Sequence, residues 1–188
     1  LLKCDVTPNQ PSFATLETLR AQTAFVSERI SWLPVSIAEN FLALQIFIGA
    51  KQKLSYQDLL ATIPIQKRLR DKLYALSELL PEQVETPYLQ QLALVRALLR
   101  KPKLLLLDEP FLRMDPVMLR QSESLILECV PDEASVVWAT NDLHLASRVS
   151  DRTAFMMHGR CTEFSPTTDF YTNPKTREAE NFILGRDI

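Results

Sequence analysis

Residues 101–116, KPKLLLLDEPFLRMDP, constrain this chain's fold more than any other stretch. Four leucines, Leu104 to Leu107, run straight into Asp108 and Glu109. An unbroken apolar run of that length suits a strand buried on both faces, as in a parallel sheet with helices on either side. The two acids then fall at the strand's carboxyl end, where open α/β sheets place their ligands. An Asp there can hold Mg²⁺ through water, and a Glu beside it can polarise an attacking water. The plainer alternative is an apolar strand followed by an acidic turn, and LLLLDE by itself does not separate the two.

Composition narrows the function classes. A chain of 188 residues with 46% hydrophobic content fits one globular domain, with or without a small subdomain, that buries a real core. A net charge of -2 offers no footprint for nucleic acid or an anionic membrane surface. The longest apolar run is too short and too interrupted to span a bilayer. Cys4, Cys129 and Cys161 are odd in number and scattered, which fits reduced thiols and no metal-ligand spacing. Residues 1–10 show neither a basic start nor an apolar block of the signal-peptide kind. With only three glycines, Gly49, Gly159 and Gly185, the chain holds no clustered-glycine loop and no G-x-x-x-x-G-K-[ST] to cradle phosphate.

Taken in order, Leu1 to Thr7 and Gln22 to Ser27 read as short strands, with Thr15 to Arg20 as a helical turn between them. Residues from Ile37 to about Leu80 are helix-rich, and Ser55 with Asp58 supplies an N-cap and a first-turn acid. Pro64 divides that region. Ahead of the leucine strand, Tyr88, Leu92, Val95 and Leu99 form one helical stripe. Ser135 to Ala139 reads as a second buried strand and Asp142 to Val149 as a helix. Thr153–Met157 and Arg160–Phe164 form a hairpin turned at His158-Gly159, and a last helix over Thr176 to Gly185 ends on glycine. No internal repeat or low-complexity segment interrupts the pattern.

The order and spacing of Leu92 to Leu98, the leucine strand, Asp108-Glu109-Pro110 and Asp115-Pro116 resemble the ATP-binding-cassette (ABC) ATPases. Their signature helix, Walker B strand and D-loop follow one another in the same way. TLETLRAQTAFVSE resembles that family's approach to its Q-loop, and Trp32 to Asn40 is similar to the F-P-M-S-I-x-D-N segment of the phosphate-importer branch. SRVSDRTAFMMHGRCTEF and YTNPKTREAENFILGR are similar to the same branch's carboxyl end. The resemblance implies an α/β, P-loop NTPase-like core, with a mixed, mainly parallel sheet between helices. A helical subdomain over about 37–87 is then inserted into a core made of 1–36 and 88–188. It also implies a single nucleotide-binding domain incomplete at its amino end, because Leu1 is not Met and the phosphate loop would lie upstream. ATP and Mg²⁺ are the implied cofactors. Integral-membrane permease subunits and a second ABC ATPase domain, in a homo- or heterodimer, are the implied partners. The implied location is the cytoplasm, peripheral on the inner face of the plasma membrane.

Carried over residue by residue, the resemblance makes Glu109 the general base and Asp108 the Mg²⁺ ligand. Asp115 takes the D-loop place. Glu28 falls at the Q-loop glutamine, where a carboxylate can ligate Mg²⁺ but loses the amide's donor. Val84 to Tyr88 stands where the family has L-S-G-G-Q, so Glu85 occupies the signature serine's place and Pro87 lacks an N–H. A carboxylate set against a phosphate in a partly dry site repels it by roughly several kcal/mol at an effective dielectric near 20. The H-loop histidine becomes Asn141, which cannot carry charge or shuttle a proton. His144, one turn on, differs in direction, and His158 is simplest as an exposed turn residue. Arg113 is either a solvated loop residue or a phosphate contact across a dimer.

Two functions remain in play. One is an importer's ATPase subunit, most like phosphate import, with an eroded active site. The other is an inactive ABC-domain homologue that keeps the fold as a scaffold or regulatory partner.

Overall fold

A computed structural model describes residues 13–47, 53–112 and 114–186, and the side chains of 13–15 and 47 lie outside that description. The expected strand at Leu1 to Thr7 and the residue Arg113 also lie outside the described residues. Two compact units divide the chain, residues 1–138 and 139–188. Among the described residues no helix is long and apolar enough to cross a membrane, and no group of three or more His, Cys, Asp or Glu side chains could hold a metal ion.

Among the described residues of the first unit, α1 (Phe13–Gln22) and β1 (Thr23–Ser27) come first. Residues 37–87, set apart above as a helical insertion, carry α2 (Ile37–Phe47), α3 (Tyr56–Ala61), α4 (Lys67–Ala75) and a single 3₁₀ turn at Pro81–Gln83. Then follow α5 (Thr86–Leu98), β2 (Leu104–Asp108), α6 (Pro116–Cys129) and β3 (Ser135–Ala139). Among the described residues the sheet order is β1-β2-β3, so the leucine strand is central there. β1 and β2 run parallel, in register from Thr23 opposite Leu104 to Ser27 opposite Asp108. An apolar run in a central strand, with a parallel neighbour, is the arrangement that the leucines predict.

Local signals in the sequence set the helix starts. Ser55 caps α3 by accepting from the Asp58 N–H at 3.1 Å. Ser36 and Glu39 cap α2 reciprocally: the Ser36 N–H donates to Glu39 Oε2 at 2.9 Å and the Glu39 N–H donates to Ser36 Oγ at 3.2 Å. Those hydrogen bonds from the Ser36 backbone and side chain also hold the Glu39 carboxyl below its ordinary range.

Burial differs from the expectation in two places. Leu105 and Leu107 are sealed, and with Ala24 and Val26 they join a core cluster that includes Leu94, Val95 and Leu98 of α5. Leu104 and Leu106 are only half-buried, and Phe25, which pairs with Leu106, is 60% exposed. The run is therefore buried on one face and not on both, because the described residues do not close over the second face. β3 is likewise not a buried strand: Val136 and Val137 are exposed, since among the described residues β3 lies at the end of the sheet with β2 as its one neighbour. α5 departs in the other direction. Residues Gln90 to Leu98 are buried except for Arg96, so nearly the whole circumference is enclosed and not a single stripe.

The second unit begins with α7 (Leu143–Val149), capped by Asp142, whose Oδ1 accepts from the His144 and Leu145 N–H groups. The hairpin of β4 (Arg152–Met157) and β5 (Arg160–Pro166) turns at His158 and Gly159, both with positive φ. α8 (Thr167–Thr172) and α9 (Arg177–Ile183) follow, and Gly185 ends the last helix at φ +63°. Phe155, Phe170 and Ala179 form this unit's own small core.

Candidate functional site

The acid-bearing turn is built by the β1–β2 ladder. Asp108 ends β2 and is exposed, on the same open face as Leu106 and Phe25. The ladder continues one rung beyond β1, where the Glu28 N–H donates to the Asp108 carbonyl at 3.1 Å. The Q-loop-position acid and the strand-end acid, identified separately in the sequence, are therefore neighbours at the carboxyl ends of two parallel strands.

At Glu109 the backbone turns sharply, with φ +44°, a left-handed conformation that costs a residue with a Cβ about 1–2 kcal/mol. Buried neighbours hold it there. Pro110 is buried, and Phe111 packs edge-on against Trp138 at 5.5 Å between ring centroids. Anchoring the next two residues fixes where the Glu109 side chain leaves the backbone, and a strained, over-determined turn is a common setting for a functional group.

A fastening that sequence reasoning missed holds the segment after Glu28. The Asn40 side chain accepts from the Leu33 N–H at 2.9 Å and donates to the carbonyls of Leu33, Val35 and Ser36. Arg96 of α5 donates to the Ser31 carbonyl at 3.1 Å and lies 4.3 Å over the Trp32 ring. Burial lowers the Arg96 pKa from its ordinary value. The S-x-x-E spacing of Ser36 and Glu39, followed by Asn40, was the available signal for this clamp.

The remaining predicted residues are placed as follows. Asp115 accepts from the Val117 and Met118 N–H groups at 2.8 and 3.0 Å, so it is the N-cap of α6 with Pro116 in the first turn. Glu85 is the N-cap residue of α5, but its exposed side chain makes no capping hydrogen bond. An acid at that end suits the helix dipole and opposes any phosphate brought there. Pro87 sits in the first turn of the same helix. Asn141 lies in the second unit, exposed, just before the Asp142 cap. His144 and His158 are exposed.

The donor set divides by chemistry. Asp108 and Glu28 are joined through their backbones at the strand ends, and carboxylate oxygens are the donor type that suits a hard cation such as Mg²⁺. The start of α5 does not fit a phosphate, because a carboxylate stands at its cap and a proline removes an N–H from its first turn.

Comparison with known proteins gives a consistent picture. The chain is 35% identical over 179 residues to phosphate import ATP-binding protein PstB 1 of Trichormus variabilis, covering 89% of this chain and 63% of that protein. It is 32% identical over 168 residues to PstB of Mycoplasma capricolum, covering 89% and 62%. It is 31% identical over 168 residues to PstB of Mycoplasma mycoides, covering 89% and 72%. The chain thus spans a little under two thirds of the length of the first two relatives. Among solved structures, the ATP-binding subunit of an ABC transporter superposes with a TM-score of 0.72 at 20% identity, over 92% of this chain and 71% of that one. A dimeric ATP-binding cassette in a post-hydrolysis state, bound to ADP and Pi, gives 0.66 at 21% identity, over 85% and 69%. These likenesses establish an ABC ATPase fold. No family model matches the chain.

Proposed function

The chain belongs to the family of ABC-transporter ATP-binding proteins, with the phosphate import ATP-binding (PstB) proteins among its relatives, and on that premise we propose that it is an importer's ATP-binding subunit with an eroded active site. Phosphate is the solute class to test first, from the names of the relatives. The observation that carries the erosion is the start of α5, where Glu85 and Pro87 stand in place of a phosphate-binding serine and glycine. Asn141 in place of the H-loop histidine points the same way. Loss of one preorganised electrostatic contact typically costs about 10²–10³ in rate, and such losses together leave little turnover.

In this reading Asp108 and Glu28 supply the oxygen ligands for Mg²⁺, which neutralises phosphate charge when bound. Glu109 presents a carboxylate towards the position of an attacking water. The subunit works at the inner face of the plasma membrane, docked on permease subunits and paired with another ABC ATPase domain. A defective member of such a pair keeps the docking surface while an intact partner supplies the turnover.

The decisive measurement is ATP hydrolysis by the full gene product, wild type against Glu109→Gln. Equal, background-level rates are expected. A wild-type rate that falls at least tenfold in the variant would instead establish an active ATPase, the reading that the Asp108–Glu109 turn by itself favours. Binding of a fluorescent ATP analogue, together with co-purification with permease subunits, separates an inactive importer subunit from a scaffold that has left the transporter.

A further inference from the structure

Between α4, α5 and the start of α6 the first unit holds a cavity of about 250 Å³. Arg68 and Lys72, four residues apart on α4, line one wall. Lys72 Nζ donates to Tyr88 Oη at 2.5 Å and lies 5.0 Å from the centre of its ring. Gln91, one helical turn beyond Tyr88, lines the cavity and is 0% exposed. Its Nε2 reaches the Met118 carbonyl at 3.5 Å, while its Oε1 has no hydrogen-bond partner. Asp115, also in the lining, has its Oδ1 engaged by the two backbone N–H groups that it caps.

The cavity therefore combines two cationic side chains, one carboxylate whose Oδ1 is committed to capping α6, one aromatic ring and one buried acceptor in need of a donor. A buried acceptor left unpaired is unfavourable, and a bound hydroxyl would relieve it. We propose that this cavity binds a small organic oxyanion that carries a hydroxyl group. Arg68 and Lys72 hold the phosphate or carboxylate, and the hydroxyl donates to Gln91 Oε1. The site involves none of Asp108, Glu109 or Glu28, although Tyr88 and Asp115, from the signature and D-loop positions, line it, and the proposal does not rest on the importer reading. Its volume suits a ligand of about ten non-hydrogen atoms, for which a dissociation constant of about 0.1–1 mM is expected.

Titration calorimetry on the full chain tests this with glycerol 3-phosphate, glycerate, inorganic phosphate and glycerol. At least one of the first two should bind about tenfold more tightly than either inorganic phosphate or glycerol, and which one does so identifies the anion. Arg68→Ala with Lys72→Ala should weaken that ligand at least tenfold. Gln91→Leu should weaken it about fivefold and leave inorganic phosphate unchanged; Gln91→Met serves the same purpose if the leucine variant misfolds. The proposal is overturned if no organic probe exceeds inorganic phosphate, which would mean that water satisfies Gln91, or if the folded Gln91 variant binds as the wild type does.

Discussion

Glu163 in the second unit and Gln90 with Gln91 in the first are all sealed from solvent, but their surroundings differ. Glu163 Oε1 accepts from Ser165 Oγ, and Oε2 accepts from the Lys175 and Thr176 N–H groups and from Thr176 Oγ1. Gln90 has neither amide atom paired, and Gln91 lacks a partner for its oxygen. The reason lies in what surrounds each side chain. Glu163 faces residues 175 and 176, where α9 begins and the first N–H groups have no helical acceptor. Gln90 and Gln91 lie inside a helix enclosed on nearly every side, and the backbone groups of neighbouring helices are already committed to their own ladders. A polar side chain against a loop or helix start can be satisfied by backbone; one inside a helical layer needs another side chain, a water or a ligand.

The largest effect should come from breaking the satisfied site. Glu163→Leu leaves the Lys175 and Thr176 N–H groups and Ser165 without their acceptor, and a loss of about 3 kcal/mol in chemical denaturation is expected. Glu163→Gln should cost roughly half as much. A variant as stable as the wild type would show that the network is dispensable.

The opposite sign is expected at Gln90. Gln90→Met keeps the volume and removes two unpaired polar atoms, so a gain of about 1–2 kcal/mol is expected from the same denaturation curves. Destabilisation would mean that Gln90 has a partner, such as a bound water.

A somewhat smaller gain, about 1 kcal/mol, is expected for Glu109→Gly, because glycine adopts the left-handed conformation without the Cβ clash. No change in the unfolding midpoint would show that the turn relaxes away from φ +44° in solution.

The smallest effect is a pH dependence. Burial raises the Glu163 pKa, but the hydrogen bonds from Lys175, Ser165 and Thr176 outweigh it and leave it below the ordinary Glu value. The contribution is therefore present above the unfolded pKa and is lost as pH falls through the depressed folded pKa. Stability followed from pH 6 downward should fall off in the acid range, and this component should be absent in Glu163→Gln. An identical slope in both proteins would assign the acid loss to other carboxylates.

Local chemistry explains how far the sequence could be read. The leucine strand, the His158-Gly159 turn and the helices after Asp142 and Thr176 were legible because each rests on an apolar run, a turn dipeptide or a cap close in sequence. α6 is less legible even though Asp115-Pro116 is a good helix start, because an Asp at that place suits a ligand as well as a cap. The one-sided burial of the leucine run was not legible, since a strand's composition does not say which helices cover it. Nor was the fate of Gln90 and Gln91: a polar pair in a helix reads as a solvated face until the neighbouring helices are in place. Of the site, the backbone link of Glu28 to Asp108 joins residues that only the family register pairs, and the Arg96 contacts with Ser31 and Trp32 join residues too far apart in sequence for spacing to reveal.

That extra rung, from the Glu28 amide to the Asp108 carbonyl, has a mechanical consequence. The segment running from Glu28 to Asn40 is stitched at one end to the peptide that bears the strand-terminal acid and at the other to α2, with α5 gripping its middle through Arg96. Displacing that segment with its hydrogen bonds intact would carry the Asp108 peptide with it.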